Sequence, residues 1–171
     1  MLIIGNVMSL ISAVFLGTST FQKSKNNVLK FQILDGTFNV LSNLFLGGFS
    51  GCVVGTICIV RNLLVVSKKI GKFTGTLIIV TIVTLGLLFN NRGLIGCLPI
   101  VAGIQYSLTV MIAEETKTIK RSLILNLILW CVYNLYLLSI PLFLMQLVLL
   151  AVAVINLVKD YRQDKVLNTD Q

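Results

Sequence analysis

The sequence predicts an all-α membrane protein. Seven transmembrane helices are expected in a 3+1+3 arrangement, two parallel triple-helix repeats around a linker helix, with the N-terminus outside and the C-terminus cytoplasmic. Three observations carry this expectation. The 171 residues are 56 % hydrophobic and only 12 % charged, too apolar for an ordinary soluble domain and incompatible with disorder. The basic residues collect in alternate loops, the pattern of a chain that crosses a membrane repeatedly. Two apolar stretches 91 residues apart carry matching polar stripes.

The elements follow in order. Helix one is expected over Leu2–Phe21. No Lys or Arg precedes its apolar run and no small-residue cleavage site follows, which argues against a signal peptide. A basic loop with Lys23 and Lys25 leads to helix two, Val28–Phe49. Gly47, Gly48, Ser50 and Gly51 surround the turn into helix three, Phe49–Ser67. After Lys68, Lys69 and Lys72 comes helix four, Thr74–Phe89, rich in Ile, Val and Leu and otherwise featureless. Asn90, Asn91, Arg92 and Gly93 turn the chain into helix five, Leu94–Ala113. Glu114, Glu115, Lys117, Lys120 and Arg121 precede helix six, Ser122–Leu138. Ser139–Ile140–Pro141 then opens helix seven, which runs to Val158. The predicted organisation is a first repeat over 1–67, a basic loop and linker helix over 68–92, a second repeat over 93–158, and a frayed polar tail over 159–171.

Seven crossings put the chain end and the loops after helices one, three and five on one side. That side collects 13 of the 14 Lys and Arg residues, counting Lys30 and Arg61 near helix ends, and Arg92 alone falls on the other. Basic loops stay cytoplasmic, so the net charge of +8 reads as topology with some attraction to anionic lipid, not as nucleic-acid binding. The chain has no His, so His metal sites and Ser-His triads are absent; no enzyme activity, metal or cofactor is expected. Cys52, Cys58, Cys97 and Cys131 all lie in apolar stretches and read as small hydrophobes. A Cys52–Cys97 disulfide is the alternative, since both fall near the predicted outer face.

Asp35, Asn39 and Asn43 fall at i, i+4 and i+8 in helix two, and Asn126, Trp130 and Asn134 repeat the spacing in helix six. Each set lies on one helix face. Unpaired polar groups in hydrocarbon are costly, so both faces are expected to line a common interior. Sliding the chain by 91 residues also places Ile4–Gly5 on Ile95–Gly96, Lys30 on Arg121, and Asn43–Leu44–Phe45–Leu46 on Asn134–Leu135–Tyr136–Leu137. A three-residue shift then places Val60–Arg61–Asn62–Leu63 on Val154–Ile155–Asn156–Leu157. Three helices, a linker and three helices leave both triplets in the same orientation, the parallel repeat that transporters use around a midplane site.

This plan is similar to that of the SWEET sugar transporters and their single-triplet bacterial relatives. The stretch Gly47–Gly48–Phe49–Ser50–Gly51, then Val60–Arg61–Asn62–Leu63, and Trp130–Cys131–Val132–Tyr133–Asn134 resemble the YgjV family of bacterial inner-membrane proteins over nearly the whole chain. The YgjV resemblance implies a multi-pass protein of the bacterial cell inner membrane. The SWEET resemblance implies a sugar or other small polar solute, with Trp130 at the position of the sugar-site Trp and Gln146 at that of the third-helix amide. Asn39 stands where the first half would carry the Trp, and Met8 stands opposite the hinge candidate Pro99.

The residues leave several roles open. Asp35, the one carboxylate well inside a predicted span, is either a structural partner of Arg61, a proton- or cation-coupling group, or a snorkelling side chain. Asn39, Asn43 and Asn134 bind solute or one another across helices. Trp130 stacks on solute or packs, and Tyr133 is one turn away. Gln105 and Tyr106 are weaker candidates, and Gly51 with Gly55 forms a GxxxG packing pair. The expected function is transport of a small polar solute by alternating access, as a monomer or homo-oligomer. The alternative is a membrane protein that scaffolds or regulates a partner without transporting.

Overall fold

A computed structural model describes residues 1–113 and 116–167. Glu114, Glu115 and the last four residues of the expected tail lie outside the described residues, as do the side chains of Lys117, Lys120, Lys159, Arg162 and Lys165. Among the described residues all regular structure is helical: α1 (Leu2–Thr20), α2 (Lys25–Leu46), α3 (Phe49–Val66), α4 (Lys72–Leu88), the single turn α5 (Gly93–Gly96), α6 (Leu98–Ile112), α7 (Thr116–Tyr136) and α8 (Ile140–Leu167).

Local chemistry explains where these elements depart from the predicted boundaries. α2 starts three residues early because Ser24 caps it, its hydroxyl accepting from the Asn27 amide at 3.3 Å. Predicted helix five divides into α5 and α6 at Cys97 because Pro99 falls in the first turn of α6, where a missing amide proton costs nothing. The tail is helical, not frayed, as far as Leu167. No Gly or Pro follows Pro141 in the sequence, so nothing local stops the helix. All four cysteines are free, so the Cys52–Cys97 disulfide is not formed.

α1, α3 and the segment Gly93–Ile112 are long and apolar enough to cross a membrane, and Lys72–Leu88 and Ile140–Ile155 are shorter apolar helices. α2 and α7, at 22 and 21 residues, have the length but carry the polar stripes. Six helices close a ring in the order α1, α2, α3, α6, α7, α8, with α8 returning to α1. α4 packs outside the ring against α3 and α6. It buries one stripe, Gly75, Ile78, Ile82 and Gly86, on a cluster with Val54 and Ile100. Close approach requires the glycines: a Cβ on Gly86 would stand 2.7 Å from Ile100, and one on Gly103 would stand 2.8 Å from Val54.

One end of the ring carries the turns at residues 47–48, 89–92 and 137–139; the other carries Lys25, bound through Nζ to the Ala113 carbonyl at 2.7 Å. We call these the Gly47 end and the basic end. At the Gly47 end, α2 stops in a left-handed residue, Gly47 at φ 74°, and the Gly48 amide donates back to Asn43 O at 2.8 Å. α7 stops the same way 91 residues later: Leu138 has φ 58°, and the Ser139 amide donates to Asn134 O at 2.9 Å. The loop after α4 clasps the first of these turns. Asn91 Nδ2 and Arg92 Nε donate to Gly47 O at 2.8 and 3.2 Å, and Arg92 Nη2 donates to Leu46 O at 3.3 Å. Arg92, the lone basic residue expected on its side, thus caps the exposed carbonyls of a helix C-terminus, where the macrodipole favours a cation.

Leucine in the left-handed region costs about 1–2 kcal/mol, and Leu138 is 54 % exposed, so little packing holds it there. Leu138→Gly is expected to stabilise the protein by about 0.5–1 kcal/mol after the added freedom of the unfolded chain. Thermal unfolding of the purified protein in detergent checks this as a raised midpoint.

Candidate functional site

A cavity of about 80 Å³ lies inside the ring, room for several waters or a small solute. α2 lines it with Gln32, Asp35, Gly36 and Asn39, and α7 with Leu123, Asn126, Leu127 and Trp130. Each set runs i, i+3, i+4, i+7, one face of a helix, and every member of the second set follows its counterpart by 91 residues. The other helices contribute unequally. α3 gives Gly55, Cys58, Ile59, Arg61 and Asn62, and α6 gives Ala102, Gly103 and Tyr106, whereas α1 and α8 give only Leu16 and Gln146. The cavity therefore lies between α2 and α7, displaced toward the α3–α6 side.

Apolar and polar layers bound it along the ring axis. Toward the basic end, one turn from Gln32 and Leu123, the side chains of Leu29, Val110 and Ile119 are buried in a single cluster. Toward the Gly47 end, Asn43, Tyr133, Asn134 and Leu137 are buried one turn beyond Asn39 and Trp130. Tyr133 is the centre of that layer. Its hydroxyl accepts from the Gly51 amide at 3.1 Å and stands 3.5 Å from Ser50 Oγ, and its ring meets Trp130 edge-on at 5.7 Å. A Cβ on Gly51 would stand 2.6 Å from the Tyr133 ring, and one on Gly55 would stand 2.8 Å from Val40. The GxxxG pair thus serves two contacts, one across to α7 and one to α2.

The sequence-predicted site residues divide between cavity and layer. Asn39, Trp130, Gln146, Asp35 and Arg61 line the cavity, whereas Asn43, Tyr133 and Asn134 do not; they fill the layer beside it. The layer amides hold the cavity amides. Asn43 Nδ2 donates to Asn39 Oδ1 at 2.9 Å, and Asn134 Nδ2 donates to Gln146 Oε1 at 3.1 Å. Each bond occupies the carbonyl oxygen of the cavity residue and leaves its NH2 group for a ligand. Gln105 is not in the wall and bonds Ser122.

The expected ion pair between Asp35 and Arg61 is not formed. Asp35 Oδ1 accepts from Ser12 Oγ of α1 at 2.5 Å. Arg61 Nη1 donates to Ser107 Oγ of α6 at 2.8 Å, and its Nε and Nη2 donate to Asn62 Oδ1 at 3.0 and 2.7 Å. The guanidinium also lies 5.2 Å over the Tyr106 ring, a favourable cation–π geometry. The two serines lie on opposite sides of the α2–α3 pair and draw the charges apart. Arg61 is 2 % exposed, so it belongs to the cavity wall and not to the basic fringe of the sequence reading.

Gln32, Asn62, Tyr106 and Ser12 had drawn little or no weight from the sequence. Gln32, hydrogen-bonded through Nε2 to Tyr106 Oη at 2.8 Å, was reachable by extending the helix-two stripe one turn. Ser12 carries no periodic signal, whereas Asn62 was marked by its match to Asn156. Among the described residues no group of three or more His, Cys, Asp or Glu side chains could hold a metal ion.

A family model described as bacterial inner membrane protein, Imp-YgjV, matches residues 3–164. The chain belongs to the Imp-YgjV family. It is accordingly a bacterial inner-membrane protein, in keeping with its helices apolar enough to span a membrane. No curated protein and no solved structure matches it. In this YgjV-family chain the cavity wall and its Tyr133 layer draw on both halves of the matched region.

Tyr133→Phe removes the hydroxyl that meets both the Gly51 amide and Ser50 Oγ and is expected to cost about 1–2 kcal/mol. Gly51→Ala forces a methyl group against the same ring and is expected to cost more, about 2–3 kcal/mol. Chemical denaturation of the two variants in detergent checks the order.

Proposed function

We propose that this protein carries a small polar solute across the bacterial inner membrane by alternating access, with the site between its two halves. The observation that carries the reading is the cavity. α2 and α7 line it at positions 91 residues apart throughout, and a layer of buried side chains bounds it toward each end of the ring. A transporter needs such a pair of layers, one of which yields at a time.

The ring also supports the 3+1+3 plan and its SWEET-like character. A two-fold axis along the ring would carry α1, α2 and α3 onto α6, α7 and α8, and the α3–α6 seam onto the α8–α1 seam; both seams are present. The left-handed helix ends at Gly47 and Leu138 obey the same relation. α4, which packs only outside the ring, fits a linker whose job is to return the chain. In this plan all seven long helices cross. α2 and α7 do so with their polar faces turned from lipid, the N-terminus is outside, and the basic end is cytoplasmic. One chain supplies the whole cavity lining, so a monomer suffices. Transport is facilitative, or linked to an ion gradient through Asp35.

The competing reading, a non-transporting protein that holds or regulates a partner, is favoured by the amide pairs Asn39–Asn43 and Asn134–Gln146, which satisfy each other in part. Uptake into proteoliposomes separates the two. A panel of sugars, amino acids and vitamin-like solutes is offered with and without a pH gradient, to wild type and to Trp130→Ala. Transport predicts saturable uptake of one solute class, reduced about tenfold or more in Trp130→Ala by loss of the aromatic wall. Lack of uptake across the panel by folded protein would favour the competing reading.

A further inference from the structure

We propose that the transported solute is a zwitterion, a molecule of amino-acid size whose carboxylate is held by Arg61 and whose ammonium group is held by Asp35. The inference rests on the transport reading and names its solute class. It begins from a pair of charges that face one cavity without meeting. Burying a charge costs several kcal/mol unless an opposite charge and hydrogen bonds answer it. Arg61 is almost fully buried, yet its hydrogen-bond partners, Asn62, Ser107 and Cys58, are all neutral. Asp35 takes one hydrogen bond, from Ser12, and a carboxylate can accept about four.

α2 and α3 are neighbours in the ring, yet Asp35 and Arg61 do not pair with each other. Instead Ser12 holds one to α1 and Ser107 holds the other to α6, and the cavity occupies the space they share. The remaining polar lining is neutral: the amides of Gln32, Asn39, Asn62, Asn126 and Gln146, with Tyr106 and Cys58. A solute with both charges completes both sites and keeps the cavity neutral. A monoanion or a monocation completes one and leaves the other in excess, and a sugar completes neither. Asn62, Ser107 and Cys58 take four of the five guanidinium N–H groups; the remaining Nη2 N–H and the unanswered charge are what Arg61 offers a carboxylate. In this site Asp35 serves the solute and not a coupled proton.

The test measures binding and uptake separately. Detergent-purified wild type is screened for thermal stabilisation by each of the twenty protein amino acids and by a set of neutral pentoses and hexoses. Proteoliposomes are offered the same compounds as two mixtures, and the lumen is read by mass spectrometry. At least one amino acid is expected to stabilise the protein and to accumulate saturably. Its decarboxylated amine and its deaminated acid should each compete about thirtyfold more weakly or worse. Asp35→Asn should shrink the preference over the deaminated acid to within about threefold, and Arg61→Lys should weaken the amino acid about tenfold or more. A change in discrimination at Asp35 is not what a merely structural carboxylate would give, and the charge-conserving Arg61→Lys guards against misfolding. Stabilisation and uptake by sugars alone would overturn the zwitterion and leave transport standing. Stabilisation by amino acids without uptake would uphold the site and overturn transport. Stabilisation by neither set would overturn the zwitterion.

Discussion

Hydrocarbon offers no hydrogen bonds, and the arrangement of this protein depends on that. A polar side chain on a membrane helix must find another polar group or water. Asp35, Asn39 and Asn43 on α2 share one face, and Asn126, Trp130 and Asn134 on α7 share another. Turned inward, the α2 face finds partners on α1, α6 and α2 itself and the α7 face finds one on α8, and the cavity lies between the two faces. The outer faces of these two helices remain apolar, with Leu34, Leu41 and Leu44 of α2 and Leu125, Ile128 and Val132 of α7 exposed. α1, α3, the Gly93–Ile112 segment and α4 carry long apolar surfaces. The least apolar helices are therefore the ones at the centre of each half of the ring.

The backbone of the ring is more symmetrical than its side chains. Gly55, Ala102 and Gly103 leave space on the α3–α6 side. On the α1–α8 side Leu16, Leu142, Met145 and Leu149 fill the same kind of space with an apolar cluster. Both buried charges follow this division, since Arg61 is anchored on α6 and Asp35 on α1. The two sides of the ring thus differ in what they present to the interior.

Helix positions were legible because apolar runs, basic loops and glycine turns are local signals. α1 and α3 begin at the expected residues, Leu2 and Phe49. The break at Cys97 was less legible, since Pro99 could equally mark a kink or a start. The polar stripes gave the inward face but not the level along it. Asn39 and Asn43 differ by one turn, and only the packing around Tyr133 decides that the first meets the cavity and the second its closing layer. Partner choice was the least legible. Asp35 and Arg61 share a similar depth, and their joint absence from the second repeat suggested a pair. The serines that separate them, Ser12 and Ser107, are small, common in membrane helices and distant in sequence, so no periodic pattern announces them.

The outer position of α4 has a mechanical consequence. This helix lies across the seam between α3 and α6, and its loop grips the α2–α3 turn through Asn91 and Arg92. Among the described residues the seam between α8 and α1 has no such splint; two helix-start amides, those of Ile140 and Leu142, reach across it to Asn6 and Ser9. The bundle is therefore built like a book with one bound edge. Motion of one half against the other would pivot along α4 and part the pages at α1 and α8.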